Sequence, residues 1–393
     1  MTGIIMGKLK TLMCILAVVC MVSSGCSGME KTSPVQAQDV LSSGELELIE
    51  DTEFGMVYLD VTNEEFLNLG FELGDSVRIE FSNGYVQEDI PVYSGFFTSL
   101  GEPMIVLYPT YDHISFSLNG PPTWSEINPN DDTTAVITLL ERGKYSLIQE
   151  SCDLHHSNNR DDFESDIQFA NFREFSEGNM REGVFYRSSS PCNNKYKRAA
   201  YVDTFCEEAG IQHILDLADT VENIEGYMAK DDFNSPYFKS LYEKGQVHPL
   251  SLNMNLKSEN FATVISAGLL DLCGTEGPYL ISCTEGKDRT GFVTALIMAL
   301  GGATPEEVAA DYMITYDNFY GLTMESDSQK YTTLVNLKIG DYMCYFNGLS
   351  GKETDIDWRD ITAEDLHKGA EEYLRLGGLE DEEIAKIEAL ICD

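Results

Sequence analysis

The stretch "LISCTEGKDRTGF", residues 280–292, decides the fold of the C-terminal part of the chain. An apolar run ends in Cys283, a short polar segment follows, and apolar residues return at helical spacing after Arg289. This order predicts a strand, a tight loop and the start of a helix. It also raises a chemical question, because a cysteine and an arginine are held close together in a strongly acidic chain.

The predicted loop has the features of a site for a tetrahedral anion. Backbone N–H groups of 284–289 can turn toward one point, to which the following helix directs its positive dipole end. Gly286 allows close backbone approach, and Arg289 offers a planar fork for two phosphate oxygens. Such surroundings favour a cysteine thiolate, so we predict that Cys283 is a nucleophile. The residues expected to hold the phosphate are Thr284, Glu285, Gly286, Lys287, Asp288 and Thr290.

The residues on either side of this stretch predict an α/β domain over 151–393. "IQHILDLA" (211–218) and "PYLISC" (278–283) are typical of strands. "KYKRAAYVDTFCEEAG" (195–210) and "FATVISAGLLDLCG" (261–274) are typical of helices. Strands and helices in alternation imply a parallel sheet flanked by helices.

An all-β domain is predicted before it, over 46–150. Apolar and charged residues alternate in "VRIEF" (77–81), and Asn83-Gly84 is a hairpin turn signal. We expect a small barrel or sandwich whose role the sequence does not give. "FGMVYLDVTN" (54–63) faintly resembles the β-rich C-terminal domain of S-adenosylmethionine hydroxide adenosyltransferases, and we infer no ligand from it.

The N-terminus predicts export. Two lysines precede a short apolar run, which is the order of a secretory signal, and the run is too short to cross a bilayer as a helix. "SSGC" (23–26) resembles a bacterial lipobox, which implies that residues 1–25 are removed and that Cys26 is lipidated. Polar residues 26–45 would then form a tether to the extracytoplasmic face of the cell membrane. Plain secretion and a retained membrane anchor are the alternatives.

The formal net charge of −40 excludes some partners. Binding nucleic acid or anionic lipid requires clustered Lys and Arg, so we expect no nucleic acid partner and membrane attachment through the lipid alone. The charge does not forbid an anionic substrate, because distant carboxylates are screened beyond about 8 Å at physiological salt. A locally basic stretch, 173–198, is expected to line the pocket.

The cysteines and histidines allow two further expectations. After loss of Cys14 and Cys20 and acylation of Cys26, an odd number of cysteines remains, so at least one thiol stays unpaired. "CDLHHSNN" (152–159) holds metal-binding residue types. Without a second ligand cluster nearby, we interpret it as a polar interdomain loop.

Four separated blocks resemble one known family. "CTEGKDRTG" (283–291) is similar to the Cys-x-x-Gly-Lys-Asp-Arg-Thr-Gly loop of bacterial protein-tyrosine phosphatases of the tyrosine/serine type, which include a secreted mycobacterial tyrosine and lipid phosphatase. "NFREF" (171–175), "GVFYRSSS" (183–190) and "ILDLADTVE" (214–222) resemble three further blocks of that family. The resemblance spans roughly 165–393 and implies the cysteine phosphatase fold. It also implies pocket positions for Asn171, Arg173 and Arg187.

Two positions depart from the family pattern. Ser282 stands where a histidine usually precedes the cysteine. Ala218 stands where an arginine usually follows the strand, which removes one cation from the pocket.

The resemblance implies a phosphatase that needs no metal or cofactor. Cys283 would attack phosphorus while Arg289 and the loop amides hold the equatorial oxygens. Asp216, at a predicted strand end, and Asp288, inside the loop, are the alternative general acids. The substrate would be phosphotyrosine in a protein or a small phosphomonoester. An inositol-phosphate or phosphoinositide phosphatase and a non-catalytic protein that binds phosphorylated ligands are the alternatives.

Overall fold

The computed structural model describes residues 40–52, 55–99, 101–120, 122–348 and 357–392. The expected signal peptide, the lipidation site Cys26 and most of the expected tether lie outside these residues. From Leu41 onward the chain forms one compact unit. No helix within the described ranges has both the length and the apolar composition needed to span a bilayer.

A closed β-barrel forms the first part of the described chain. Its strands are β1 Ser42–Glu50, β2 Val57–Thr62, β3 Ser76–Phe81, β4 Val86–Tyr93, β5 Pro103–Val106, β6 His113–Leu118 and β7 Thr134–Glu141. Around the barrel they follow the order β1-β2-β6-β5-β4-β3-β7, and β1 pairs antiparallel with β7 to close it. Short helices connect or follow the strands: α1 Asn63–Asn68, α2 Thr123–Ile127 and α3 Ser146–Cys152.

The alternation in β3 accounts for the barrel interior. Val77, Ile79 and Phe81 are buried in it, while the charged residues between them point outward. In the turn to β4, Gly84 has a φ of 93°, which favours glycine. Of the two expected architectures, the barrel is the one that forms.

Two segment boundaries differ from the sequence expectation. Strand β1 starts at Ser42, so the end of the expected tether is part of the barrel. Helix α3 runs to Cys152, across the expected start of the α/β domain at 151. The sequence of β1, "SSGELELIE", has few apolar residues, and its strand conformation depends on pairing with β2 and β7.

The second part of the chain is built on a 5-stranded sheet. Its strands are β8 Arg173–Glu174, β9 Phe185–Ser188, β10 His213–Asp216, β11 Val247–Pro249 and β12 Tyr279–Ser282. The order across the sheet is β11-β10-β12-β9-β8. Strands β9 to β12 run parallel, as expected, whereas β8 pairs antiparallel with β9 at one edge. The β8–β9 connection has no crossover helix, and a connection of that kind returns the chain antiparallel.

Helices cover both faces of this sheet. They are α4 Asp166–Ala170, α5 Ala199–Glu208, α6 Val221–Met228, α7 Pro236–Glu243, α8 Glu259–Leu272, α9 Asp288–Leu300, α10 Pro305–Tyr320, α11 Ser328–Val335, α12 Asp341–Phe346, α13 Ala363–Leu376 and α14 Asp381–Cys392. A π-helical turn, Asn336–Gly340, joins α11 to α12. Every residue of α9 from Thr290 onward is buried, and a helix that is apolar on all sides belongs in the centre of a domain. Its central position fixes the loop that precedes it.

Candidate active site

The loop between β12 and α9 starts at the centre of the sheet. Strand β12 ends at Ser282, and α9 begins at Asp288. Ser282 is in register with Asp216 of β10 on one side and Ser188 of β9 on the other. Cys283 therefore emerges at the carboxyl edge of the parallel strands, where sheets of this class place their sites.

Gly286 bends this loop tightly against β9. Its φ is 71°, a left-handed conformation that side chains disfavour. A Cβ at this position would lie 2.3 Å from the carbonyl oxygen of Ser188. Glycine is therefore required here both by backbone conformation and by close approach.

The loop carbonyl groups are bonded to the surrounding protein. The oxygen of Glu285 accepts a hydrogen bond from Ser189 Oγ at 3.0 Å. The oxygen of Gly286 accepts bonds from Asn171 Nδ2 at 3.3 Å and Arg187 Nη2 at 3.0 Å. By contrast, no backbone N–H of 284–290 donates to an acceptor within the described residues. Because N–H and C=O groups of a peptide point in opposite directions, carbonyls anchored outward leave the N–H groups for an anion.

A buried charge network holds the rear of the loop. Asp311 of α10 accepts hydrogen bonds from Arg173 Nε, at 2.8 Å, and from Arg187 Nη1. Arg173 Nη1 also donates to Asn171 Oδ1 at 2.8 Å. Burial alone would raise the pKa of Asp311, but the two guanidinium groups lower it below its ordinary value. The sequence analysis predicted pocket positions for Asn171, Arg173 and Arg187, but these residues lie behind the loop and do not line the Cys283 cavity. The reason is that both arginines pair with the buried Asp311.

The cavity in front of the loop contains Cys283. Its volume is about 300 Å³, and its lining combines loop residues with side chains from elsewhere: Cys283, Thr284, Glu285, Lys287, Asp288 and Arg289, with Lys195, Tyr196 and Met254. Cys283 is 3% exposed and is in no disulfide. Arg289 donates from Nη1 to Leu252 O at 2.8 Å and from Nη2 to Thr284 Oγ1 at 3.2 Å. These bonds hold the guanidinium in the same cavity as the thiol.

Lys287 adds a second positive charge to this cavity. Its Nζ lies 3.4 Å from Glu285 Oε2 and 3.8 Å from Asp288 Oδ2, and donates to the Tyr320 hydroxyl at 3.3 Å. Burial disfavours the charged form, but Asp288, Tyr320 and Glu285 outweigh burial and raise the pKa of Lys287 well above its ordinary value. Lys287 is therefore a permanent cation.

Glu285 remains an anion beside it. Burial would raise the pKa of Glu285, but His156 and Lys287 lower it below its usual range. His156 Nε2 lies 3.7 Å from Glu285 Oε1, and its ring packs against Tyr196 with centroids 5.2 Å apart. The expected interdomain loop of 152–159 thus contributes one histidine to the surroundings of the site.

Asp216 lies at the end of β10 but does not line the Cys283 cavity. Its Oδ1 accepts the N–H groups of Ala218 at 3.0 Å and Asp219 at 3.2 Å, which closes the turn after the strand. Burial and the neighbouring Asp219 carboxylate raise the pKa of Asp216 to about 7, although these N–H groups and Arg289 lower it. Asp216 therefore keeps a proton nearly to neutral pH.

The predicted phosphate-binding residues fall into two groups, according to whether their side chains line the cavity. Thr284, Glu285, Lys287 and Asp288 line the cavity, whereas Thr290 is fully buried in α9. The Thr290 hydroxyl has no hydrogen-bond partner among the described residues. Thr290 and Gly286 can therefore contribute only their backbone N–H groups.

The basic stretch 173–198 is mostly buried or directed elsewhere. Arg198 donates to Phe169 O at 2.8 Å and lies 4.6 Å from the ring centre of Phe319. Arg181 Nη2 donates to Leu390 O at 2.7 Å. Of the basic residues in this stretch, Lys195 is the one that lines the Cys283 cavity within the described residues.

The sequence analysis missed several residues around the site. The sequence does indicate Asp311 as unusual, because it is an acidic residue on the apolar, buried face of α10. Asp219 follows Asp216 closely, accepts a hydrogen bond from the Tyr227 hydroxyl at 3.0 Å, and has a pKa raised by burial. Tyr196 and Met254 had no chemical signature, because only folding brings them to the cavity.

A second cavity, of about 390 Å³, adjoins the first. The two share Met254, Lys287 and Asp288 in their linings. The barrel segment 96–99 contributes to its lining, and so does Lys338 of the π-helical turn. The barrel therefore contributes directly to the surroundings of the site.

The C-terminal part of the chain matches a known protein family. The tyrosine phosphatase family profile matches residues 167–393. No curated protein gives a significant match. Among solved structures, the chain is similar to the core catalytic domain of the PP-IP phosphatase SIW14 from S. cerevisiae in complex with citrate. The identity is 16%, the match covers 42% of this chain and 88% of that chain, and the TM-score is 0.25.

Proposed function

This chain belongs to the tyrosine phosphatase family, and from that premise we propose that it hydrolyses phosphomonoesters through a phosphocysteine intermediate. One observation carries the proposal. The Cys283 thiol and the Arg289 guanidinium share a cavity above a loop whose carbonyls are anchored outward and whose N–H groups are unbonded within the described chain. This arrangement offers a nucleophile and a set of donors for the same phosphoryl group.

The reaction has two steps. The Cys283 thiolate attacks phosphorus, an S–P bond forms, and the P–O bond to the leaving group breaks as that oxygen takes a proton. Water then attacks phosphorus, the S–P bond breaks, and inorganic phosphate leaves with the thiolate restored. Arg289 and the N–H groups of 284–290 stabilise the charge on the equatorial oxygens in both steps.

Geometry favours Asp288 as the group that protonates the leaving oxygen. A general acid must come within hydrogen-bond reach of that oxygen, and Asp288 lines the cavity whereas Asp216 does not. Asp216 holds a proton but is 2% exposed and bonded to the turn after β10. We assign Asp288 the direct role and Asp216 the positioning of the neighbouring strand end.

The walls of the cavity support aryl phosphates, and phosphotyrosine in proteins, as the substrate class. Cys283 is buried, and Tyr196 and Met254 line the same cavity; aromatic rings pack well against both of these side-chain types. One observation favours inositol phosphates as a second candidate. Lys287 is a second cation in the cavity, in addition to Arg289. A substrate with one phosphate needs only Arg289, whereas an inositol phosphate could place a second phosphate against Lys287.

We further propose that the protein acts on the extracytoplasmic face of the membrane, anchored through Cys26. The support is the lipobox-like segment 23–26 after a short apolar run. Metabolic labelling with a fatty acid and membrane fractionation test this. The unmodified protein should be labelled, and the label should disappear in Cys26→Ser. If the unmodified protein is unlabelled and stays in the soluble fraction, the anchor is contradicted.

Turnover of a generic aryl phosphate by the purified protein tests the proposed chemistry. Cys283→Ser should lower the rate by roughly a thousandfold or more while phosphate still binds, and acid quenching should trap a phosphorylated Cys283 in the unmodified protein. Cys273→Ser is the matched control, because that cysteine lies at the end of α8, away from the cavity. Unchanged turnover in Cys283→Ser would refute the assignment of the nucleophile.

A panel of substrates separates the candidate functions. A phosphotyrosine peptide turned over faster than inositol hexakisphosphate supports the protein phosphatase, and the reverse order supports the second candidate. The non-catalytic alternative predicts binding of both without release of phosphate.

A further inference from the structure

A cluster of one histidine and two glutamates joins the last two helices, away from the Cys283 cavity. His367 and Glu371 lie on α13, and Glu388 lies on α14. His367 Nε2 is 3.1 Å from Glu388 Oε1 and 3.7 Å from Glu371 Oε1. The three ligand atoms lie within 4.8 Å of one another.

The other ring nitrogen fixes the tautomer of His367. Nδ1 lies 3.2 Å from the carbonyl oxygen of Ala299 and 3.1 Å from that of Leu300. A carbonyl oxygen only accepts hydrogen bonds, so Nδ1 carries a hydrogen. Nε2 then faces two carboxylate oxygens, and a metal ion placed between them would be bound by all three side chains. A backbone carbonyl on the second nitrogen is also the usual support of a metal-binding histidine.

Glu388 lies close to the ring without a hydrogen bond to it. Its buried Oε1 is 3.1 Å from Nε2, yet it accepts no hydrogen bond of acceptable geometry among the described residues. By contrast, two ligands that each lie about 2.1 Å from a common ion are roughly 3 to 3.5 Å apart. The separation of 3.1 Å between Nε2 and Glu388 Oε1 agrees with that geometry, whereas Glu371 Oε1, at 3.7 Å from Nε2, must move slightly closer to bind the same ion.

The surroundings add negative potential and orient one ligand. Ala299 and Leu300 are at the C-terminal end of α9, where the helix dipole is negative. Arg375 Nη2 lies 3.5 Å from Oε2 of Glu371, which leaves Oε1 facing the histidine. Arg375 therefore takes the outer oxygen and does not occupy the space between the three ligand atoms.

We propose that His367, Glu371 and Glu388 bind a divalent metal ion of the zinc class, with water as the remaining ligand. An imidazole nitrogen with carboxylates suits Zn²⁺, whereas Ca²⁺ and Mg²⁺ prefer oxygen ligands alone. The side chains are 33%, 25% and 28% exposed, so the ion can enter from solvent. The ion clamps α14 to α13 and to the end of α9, and this role is independent of the proposed hydrolysis at Cys283.

Calorimetric titration and thermal unfolding of the full chain test the site. The measurements use the Cys283→Ser chain, so that the catalytic thiol does not take up the metal. We expect one saturable Zn²⁺ site and a rise in Tm of roughly 3–6 °C, with no comparable effect of Ca²⁺. The absence of a saturable Zn²⁺ site overturns the proposal.

Substitutions then locate the ion. Glu388→Gln and His367→Gln should each lower Zn²⁺ affinity roughly a hundredfold and abolish the rise in Tm, while the metal-free Tm stays within a few degrees. His213 Nδ1 and His248 Nε2 lie 3.1 Å apart in another part of the molecule and are a competing site, so His248→Gln is the matched control and should leave the titration unchanged. Zn²⁺ binding lost in His248→Gln but retained in both other variants refutes the assignment.

Discussion

At the scale of single residues, Gly286 determines whether the loop can close around a phosphate. Its left-handed φ of 71° is not the whole constraint, because a Cβ would also meet Ser188 O at 2.3 Å. The Cβ of an alanine would push the loop away from β9 and break the bonds to the Gly286 carbonyl. The N–H groups would then no longer converge on one point.

Gly286→Ala should therefore lower kcat/KM for an aryl phosphate by about a hundredfold or more, since a displacement of about 1 Å has that effect on a preorganised site. Steady-state kinetics measure the loss. Gly210→Ala is the control, because Gly210 has a similar φ of 67° but open space around the position of a Cβ. Equal kinetic losses in the two variants would show that close approach to Ser188 is unimportant.

Asp216 gives a prediction about stability and pH. Its pKa in the folded chain, about 7, is above the ordinary value of 3.8, so between these values the folded state binds a proton that the unfolded state releases. The contribution of Asp216 to stability is full below about pH 4 and is lost as the pH rises through 7. Because asparagine does not titrate, Asp216→Asn removes this pH-dependent loss of stability. Urea unfolding at about pH 5 and about pH 8 should therefore show the variant gaining stability relative to the unmodified chain at the higher pH.

Asp216→Asn, compared with Asp288→Asn, also tests which aspartate is the general acid. With Asp288 as acid, Asp288→Asn should slow alkyl phosphates far more than aryl phosphates with good leaving groups, and Asp216→Asn should slow both alike. The opposite pattern would assign the acid role to Asp216.

At the scale of elements, α10 and β9 are joined to the loop by Asp311. This carboxylate bonds the fully buried Arg187 and the partly buried Arg173, and Arg187 also donates to the Gly286 carbonyl. Asp311→Asn should lower the free energy of unfolding by about 3–5 kcal/mol, because it leaves buried guanidinium groups without a charged partner. Denaturant unfolding measures this change. Asp317→Asn, on the exposed face of the same helix, should change stability by less than about 0.5 kcal/mol.

Local sequence patterns predicted β10, β12, α5, α8 and the start of α9. Thr304 caps α10 in the way its sequence indicates: the side chains of Thr304 and Glu307 accept hydrogen bonds from each other's backbone N–H groups, and Pro305 is at the first helical position. The strand β1 and the π-helical turn were not predicted. A polar edge sequence and a local change of helical pitch both depend on neighbours that are distant in sequence.

At the scale of the whole molecule, the barrel contributes to the lining of a cavity beside the candidate active site. Phe97 of the barrel and Lys287 of the loop line the same cavity. A small aryl phosphate fills only the Cys283 cavity, whereas a phosphotyrosine peptide extends beyond it. Phe97→Ala should raise KM several-fold for such a peptide, by roughly 1 kcal/mol of lost apolar contact, without changing kcat/KM for the small substrate.

Competition between the two substrate types checks this prediction in one preparation. Leu140→Ala, at a 50% exposed position on the barrel, should leave both substrates unaffected. Equal effects of Phe97→Ala on the small and the large substrate would mean that the barrel acts on the fold of the site and not on the substrate.

The sequence alone determined the strand, loop and helix around Cys283 and the residues that line its cavity from the loop. These features depend on apolar periodicity, on glycine's backbone freedom and on donors that are adjacent in the chain. Only the tertiary structure decided that Arg173 and Arg187 turn to Asp311 behind the loop, that Asp216 closes a turn outside the cavity, and that the barrel reaches the site. Which residues far apart in the chain become partners depends on packing and on the free-energy cost of burying an unpaired charge. A local sequence pattern contains information on neither.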